Sequence, residues 1–271
     1  MRIIQVTDSH VVPEGRLWKQ RVDTAATLAR AVSRINTLGA DLVVHTGDLC
    51  DGGDAASTAR AATILAGLRA PLRLVPGNHD RRALLRAHFP GAGFAAGGAG
   101  EARLDWTHDA EGLRIIGLDT IIPGATGGRL DDDGAAFLEG ALAGPGGAGG
   151  PSLLFCHHPP CAMGLPFMDA WPFEGAARAE AILSAAPPLR VACGHVHADV
   201  DRTLAGTVIG ACPPLSPQIP HDAAPDRALG FLLEAPALRI FDWDADLGLR
   251  VRTMPVDHGP GPFFWFDPTA G

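Results

Sequence analysis

The sequence predicts an α/β sandwich, with a mixed β-sheet core, helices outside it and an antiparallel C-terminal portion. Three features predict this. Over residues 3–88 short apolar runs alternate with helix-periodic segments, the order that builds a parallel sheet covered on both faces. Past residue 230, three strand-like runs follow at hairpin spacing. Finally, 271 residues, 46% hydrophobic and 19% charged, can bury one large core, which predicts a single domain over 1–271. Within it, residues 1–211 carry the main motifs. Residues 212–271 form a β-rich portion expected to close the sandwich and available to contact substrate or a second subunit.

In order, residues 3–6 form a β-rich run ending in "TDSH", and residues 18–38 form a helix. In that helix Val22, Ala25, Ala29, Val32 and Ile35 recur at three or four, and Gly39 stops it. "DLVVHTGD" is a second strand, residues 55–68 a second helix, "PLRLVPGNHD" a third strand with its loop, and residues 81–88 a short helix. "GAGFAAGGAG" is too glycine-rich for a regular element and reads as a loop or a ragged strand edge. "EARLDWTH" and "LRIIGLDT" are close enough to pair. "DDDGAAFLEGALAG" is helical, with its acids at the favourable end of the dipole. "PGGAGGP" is a surface loop; "SLLFCHHPP", "LRVACGHVH" and "TVIGACPP" are strands, and residues 170–185 a helix between the first two. "GFLLEA", "LRIFDWD" and "LRVRTMPVD" complete the antiparallel end.

Thirty acidic residues against 22 basic ones leave a net charge of -8. Such a chain, without a block of Lys or Arg, is a poor general binder of nucleic-acid polymers or anionic membranes. Any anion must meet a local positive centre. No apolar stretch approaches the length of a bilayer span, and "MRIIQVTDSH" runs into a strand without a leader pattern. Cys50, Cys156, Cys161, Cys193 and Cys212 are odd in number and contain no CxxC pair, which predicts free thiols and a cytoplasmic address.

Five apolar runs end at once in residues able to bind metal. These are Asp8 and His10; Asp48 and Asp51; Asn78, His79 and Asp80; His157 and His158; and His195 and His197. Ligand sites of α/β sheets collect beyond the carboxyl ends of strands, so the five are expected to converge there. In extended chain, residues two apart point the same way, so Asp8 with His10, and His195 with His197, could each reach one point. Gly47, Gly77 and Gly194 each precede a candidate ligand, as expected where backbone turns sharply. Histidine, carboxylate and carboxamide without thiolate suit Mn, Fe or Zn rather than a structural cysteine-bound zinc.

Asp8, His10, Asp48, Asn78, His157, His195 and His197 are too many ligands for one tetrahedral ion, which predicts two divalent ions ~3.5–4 Å apart. Their charge exceeds that of Asp8 and Asp48, so the site stays positive in an acidic protein. It would attract a phosphate, and a metal-bound hydroxide would be available at neutral pH.

"DSH", "GDLCD", "GNHD", "HH" and "GHVH", in that order, resemble the five motif blocks of the calcineurin-like metallophosphoesterases. The resemblance implies a four-layer αββα sandwich of two mixed β-sheets flanked by helices, with the metal site at the strand C-terminal ends. It implies that Asp8, His10 and His197 serve one metal, that Asp48 bridges, and that Asn78, His157 and His195 serve the other. It also implies catalytic roles for His79 and Asp48 and substrate contacts from Asn78, His79 and His197, with His79 steadying the phosphate or protonating the leaving oxygen.

Within the family, "TDSH", "GNHD" and "HHPP" look most like the bacterial branch acting on cyclic nucleotides and glycerophosphodiester-type substrates; the protein-phosphatase branch has Glu where Asp80 stands. The expected substrate is therefore a small phosphodiester. The alternatives are a broad phosphomonoesterase or a metal-binding scaffold without catalysis, and a homo-dimer or larger homo-oligomer is compatible with the resemblance.

Other residues take blander readings. His158 neighbours His157 on a strand, so one of the two faces away, and the family pattern favours His157 as ligand. Asp51 is either bonded to a metal-ligating histidine or a loop carboxylate. Asp80 orients His79 or caps the next helix, and Asp119 reads as a turn former. His45, His88, His108, His221 and His258 lack the grouping of ligands, though His221 could touch substrate. Cys156 and Cys193 read as buried strand residues, and "PFFWF" as a hydrophobic lock on the core or a subunit contact. The pocket mouth is expected from residues 159–171 and 212–226.

Overall fold

In β1 (Arg2–Val6) the side chains alternate between two buried faces: Ile4 and Val6 pack among helices, while Ile3 packs against a second sheet. In β2 (Leu42–His45), Val43 joins the first cluster and Leu42 and Val44 the second. Burial on both faces is why these strands read as unbroken apolar runs. The computed structural model describes residues 1–94, 100–144, 149–226, 229–260 and 263.

The first sheet has the order β11-β10-β1-β2-β3, with β3 at Leu72–Leu74, β10 at Ala237–Asp244 and β11 at Gly248–Pro255. β1, β2 and β3 are parallel, and the C-terminal hairpin adds to β1 antiparallel, pairing Ile3 with Phe241. The second sheet runs β4 (Trp106–Ala110), β5 (Leu113–Leu118), β6 (Ser152–Cys156), β7 (Arg190–Cys193), β9 (Thr207–Ala211), β8 (Val200–Leu204). Its four central strands are parallel. Between the sheets, Phe155 meets Phe241 edge to face at 5.5 Å. α1 (Thr24–Leu38), α2 (Ala55–Leu65) and α3 (Arg82–His88) cover the first sheet; α4 (Asp132–Ala143) and α5 (Ala176–Ala185) cover the second. The architecture is the expected αββα sandwich of two mixed sheets.

Several boundaries differ from expectation. α1 begins at Thr24 because the Asp23 carboxylate accepts from Ala26 N, while Lys19 and Gln20 adopt left-handed backbone. α2 ends at Leu65, three residues early. The helix expected from 170 starts only at Ala176, since Pro172 lacks a donor and Gly175 is left-handed (φ 85°). "GFLLEA" is a loop held by one bridge between Gln218 and Leu232, and β8 is a polar edge strand that the apolar pattern does not predict. "GAGFAAGGAG" and "PGGAGGP" lie partly outside the described residues, at 95–99 and 145–148. "PFFWF" does too, save for the exposed Phe263.

Candidate metal centre

The parallel strands β1, β2, β3, β6 and β7 deliver the five motif loops to one edge of the two sheets. The loops are stitched together by backbone hydrogen bonds, Asp8 N to Gly47 O, His10 N to Asp48 O and Gly194 N to His157 O, each 3.0 Å. Asp8, His10, Asp48 and His197 form one cluster of potential ligand atoms, and His157 and His195 belong to another. Asp48 Oδ2 lies 3.5 Å from both His10 Nε2 and His157 Nε2, between the two. Asn78 Oδ1 is 3.1 Å from His157 Nε2 and from His195 Nδ1. His197 Nε2 sits 3.4 Å from Asp8 Oδ1. All seven predicted ligands are thus brought together.

The outer hydrogen bonds decide which nitrogen faces inward. Nδ1–H of His157 donates to Thr46 O (2.7 Å), and Nδ1–H of His197 to Pro217 O (2.8 Å). His10 Nδ1 donates to Asp51 Oδ1 (3.2 Å), which also accepts from Trp18 Nε1 (2.8 Å). Each of these rings therefore turns its Nε2 to the centre, where that nitrogen can take a cation once it carries no proton. His10 Nε2 and His197 Nε2 lie 3.1 Å apart, close enough for one cation to take both. Together with two carboxylates and a carboxamide oxygen, this donor set fits a pair of divalent cations.

Backbone strain concentrates here. Asp8 (φ 50°), His10 (43°), Asp48 (52°), His195 (72°) and His197 (49°) are five of nine non-glycine residues in the left-handed region among those described. Each costs about 1–3 kcal/mol, held in place by the surrounding bonds. The expectation that Asp8/His10 and His195/His197 converge as extended strand is thereby corrected: they lie past the strand ends, and the kinked backbone aims them. The glycines also act differently from expectation. Only Gly47 (φ 93°) needs its dihedral freedom; a Cβ at Gly77 would collide with Asp48 N, and one at Gly194 with Thr7 Oγ1.

Burial alone would raise the pKa of Asp8 and Asp48, yet both are held well below the usual carboxylate range, Asp8 chiefly by His197 and Asp48 by His157. Burial likewise opposes a proton on His157, but Asp48 outweighs it and pushes that imidazole up to about 10. His195 is pushed down to about 3 by burial and then by His157. Without cations, one proton on His157 therefore offsets the carboxylates, and metal must displace it.

The neighbouring residues resolve as follows. His158 faces away: Nε2–H donates to Thr126 O (3.1 Å) and Nδ1 accepts from Thr120 Oγ1 (2.8 Å). Its ring lies only 4.5 Å from that of His195, but both nitrogens are engaged, so proximity does not make it a ligand. Asp51 is the carboxylate that fixes His10. Asp80 neither orients His79 nor caps α3; it accepts from Gly77 N (2.9 Å) and Leu49 N (3.1 Å), bracing the loop that carries Asp48. Burial and the charge of Asp48 raise its pKa to about 6. Asp119 forms the expected turn, its Oδ1 accepting from Ile121 N at 3.1 Å, and adds a buried two-pronged ion pair with Arg82 at 2.7 and 2.9 Å. His45, expected not to be a ligand, is wholly buried beside the centre: Gly47 N donates to its Nδ1, and its Nε2–H meets Ser9 Oγ at 3.0 Å. A lone histidine in an apolar run carries no signal of that role. Cys156 and Cys193 are buried as expected.

His79 is the exposed member, its side chain 39% accessible. Its Nδ1–H donates to Asp51 O (2.6 Å), and its Nε2 points inward, 4.0 Å from Asp48 Oδ2.

Residues 1–199 match the family model for calcineurin-like phosphoesterase. The chain is 31% identical over 282 residues to "Probable glycerophosphodiester phosphodiesterase GpdQ" of Arcobacter nitrofigilis, covering 97% of each. It is 32% identical over 204 residues to "3',5'-cyclic adenosine monophosphate phosphodiesterase CpdA" of Pseudomonas aeruginosa, covering 74% of this chain and 71% of the other. A dimetal phosphatase from Danio rerio shares the fold, with a TM-score of 0.65 at 16% identity over 95% of this chain and 99% of that one.

Proposed function

This chain belongs to the calcineurin-like phosphoesterase family, and we propose that it is a metal-dependent phosphodiesterase acting on a small diester, a 3',5'-cyclic nucleotide or a glycerophosphodiester. One observation carries the reading: the inward Nε2 atoms of His10, His157 and His197 converge, and Asp48 Oδ2 stands 3.5 Å from two of them. Asp8, His10, Asp48 and His197 would hold one divalent cation, and Asp48, Asn78, His157 and His195 the second, with Mn, Fe or Zn all compatible with the donors. When bound, the pair supplies Lewis-acid polarisation of the phosphoryl group and a source of hydroxide at neutral pH.

The chain's own residues do the rest. Buried walls exclude bulk water around the ligands, and the opening lies over Asn78 and His79, where a phosphate would enter. Because Nδ1–H of His79 is committed to Asp51 O, its Nε2 carries a proton only in the imidazolium form. In that form it binds a phosphoryl oxygen and can hand the proton to the leaving alkoxide. The net charge of -8 supports a small substrate over a polynucleotide. No described helix is long and apolar enough to cross a membrane, and the five free cysteines support a cytoplasmic address.

The test is hydrolysis of bis(p-nitrophenyl) phosphate and p-nitrophenyl phosphate with added manganese, before and after chelation. Diester turnover that chelation abolishes supports the reading; a metal-loaded protein that turns over neither ester is a scaffold.

A further inference from the structure

A cavity of about 120 Å³ opens beside the centre, walled by His195 on one side and by Cys161, Met163, Met168, Trp171 and Phe173 on the others. It is smaller than the roughly 300–1,000 Å³ that takes a whole ligand, so it suits one part of a substrate whose phosphate lies elsewhere. His195 Nδ1 is 3.1 Å from Asn78 Oδ1, so this cavity begins one imidazole away from the proposed phosphate position.

Its chemistry is selective. The three other ionisable side chains in its wall are already engaged: His158 is bonded through both nitrogens, the Cys161 thiol meets Met163 Sδ at 3.9 Å, and the Asp169 carboxylate accepts from Met163 N, Gly164 N and Leu165 N at 2.8–2.9 Å. A glycerol hydroxyl or an ammonium head would lose water there against a wall that is mostly apolar or thioether. A flat ring would gain thioether contacts from Met163 and Met168 and a face from Trp171. Trp171 is 39% exposed, an unusual place for an indole, and Phe167 steadies it edge to face at 5.0 Å. Asp169 also pins the loop, so the cavity is formed in advance of any ligand.

Resting on the phosphodiesterase reading, we propose that this cavity seats a nucleobase, which makes cyclic nucleotides rather than glycerophosphodiesters the preferred substrates. Stacking on Trp171 would place the 3',5'-phosphate over Asn78 and His79.

The test compares wild type, Trp171→Ala and Trp171→Phe, each loaded with manganese, on cyclic AMP and on glycerophosphoethanolamine. In Trp171→Ala the KM for cyclic AMP should rise about tenfold with little change in kcat, the kcat/KM ratio between the two substrates should fall about tenfold, and Trp171→Phe should restore most of both. Saturation-transfer NMR of cyclic AMP with metal-free protein gives a readout without turnover: the base protons should saturate more strongly than the ribose protons in wild type, and lose that bias in Trp171→Ala. Equal losses on both substrates, an unchanged KM, or no base-proton bias in wild type overturns the slot and leaves the phosphodiesterase standing. Failure of the loaded wild type to cleave either diester overturns the phosphodiesterase instead, and the NMR result alone then decides the slot.

Discussion

Replacing Asp51 by alanine should weaken metal binding without touching a metal ligand. Asp51 Oδ1 accepts from His10 Nδ1 at 3.2 Å and from Trp18 Nε1 at 2.8 Å, so it sets the tautomer of His10 and ties that ring to the 13–22 loop. Burial works against its charge, yet the bond to His10 holds its carboxyl down at about 2. Removing such an orienting partner generally costs ~10–100-fold in metal affinity, or about 1.4–2.7 kcal/mol. The carboxylate is 31% exposed, so water can replace part of its role and the loss should lie near the tenfold end. The assay is diester turnover against free manganese, alongside isothermal titration with the same ion. Half-saturation should shift upward about tenfold while kcat at saturating metal stays close to wild type. Asp51→Asn, which keeps an acceptor oxygen, should shift it less. An unchanged manganese dependence would refute the idea that Asp51 aims His10, and so would a loss of kcat that excess metal does not restore.

Further outcomes follow from the same geometry. His79→Asn should lower kcat by ~10²–10⁴ with both metals retained, as measured by elemental analysis; loss of metal would show His79 to be a ligand. Gly194→Ala forces a Cβ to within 2.6 Å of Asp8 Oδ2 and into Thr7, so thermal unfolding should fall by the ~1–3 kcal/mol of an overpacked core, and added manganese should stabilise the variant less than wild type. Burial pushes the buried His45 down to about 4, below its unfolded value of about 6.5. Between those values the unfolded chain binds more protons, so the stability this histidine contributes is complete above about pH 6.5 and lost as pH falls toward 4, at most about 3 kcal/mol. Urea unfolding of the metal-free protein across that window should show the slope, and His45→Gln should flatten it; an equal slope in the variant would assign it to other groups.

The motifs were readable because strands buried on both faces leave continuous apolar runs, and each run stops where the chain enters the site. Asp8, His10, Asp48, Asn78, His157, His195 and His197 could all be picked out at such stops. The way they are aimed could not. The left-handed backbone at five of them depends on hydrogen bonds between loops far apart in sequence, such as Ser216 N to Asp8 O. The role of Asp80 is hidden for the same reason, since its partners at Leu49 and Cys50 belong to another loop. β8 escaped notice because "VDRTL" sits at an edge, where exposed Asp201, Arg202 and Thr203 erase the apolar pattern. "GFLLEA" misled in the opposite direction: it is apolar like a strand, but Leu232 and Leu233 remain exposed in a loop. The cavity beside His195 draws on residues 158–176 with Gly128 and Val196, a juxtaposition that local periodicity cannot report.

The central claim is that two cations share Asp48, and metal stoichiometry tests it most directly. Protein stripped by chelation and titrated with manganese or zinc under native mass spectrometry should take up two ions per chain. Diester turnover should appear with the second, and Asp48→Asn should impair uptake of both and abolish turnover. A wild-type protein that saturates at one ion and is fully active, or an Asp48→Asn variant that still binds two ions and turns over normally, would contradict the account.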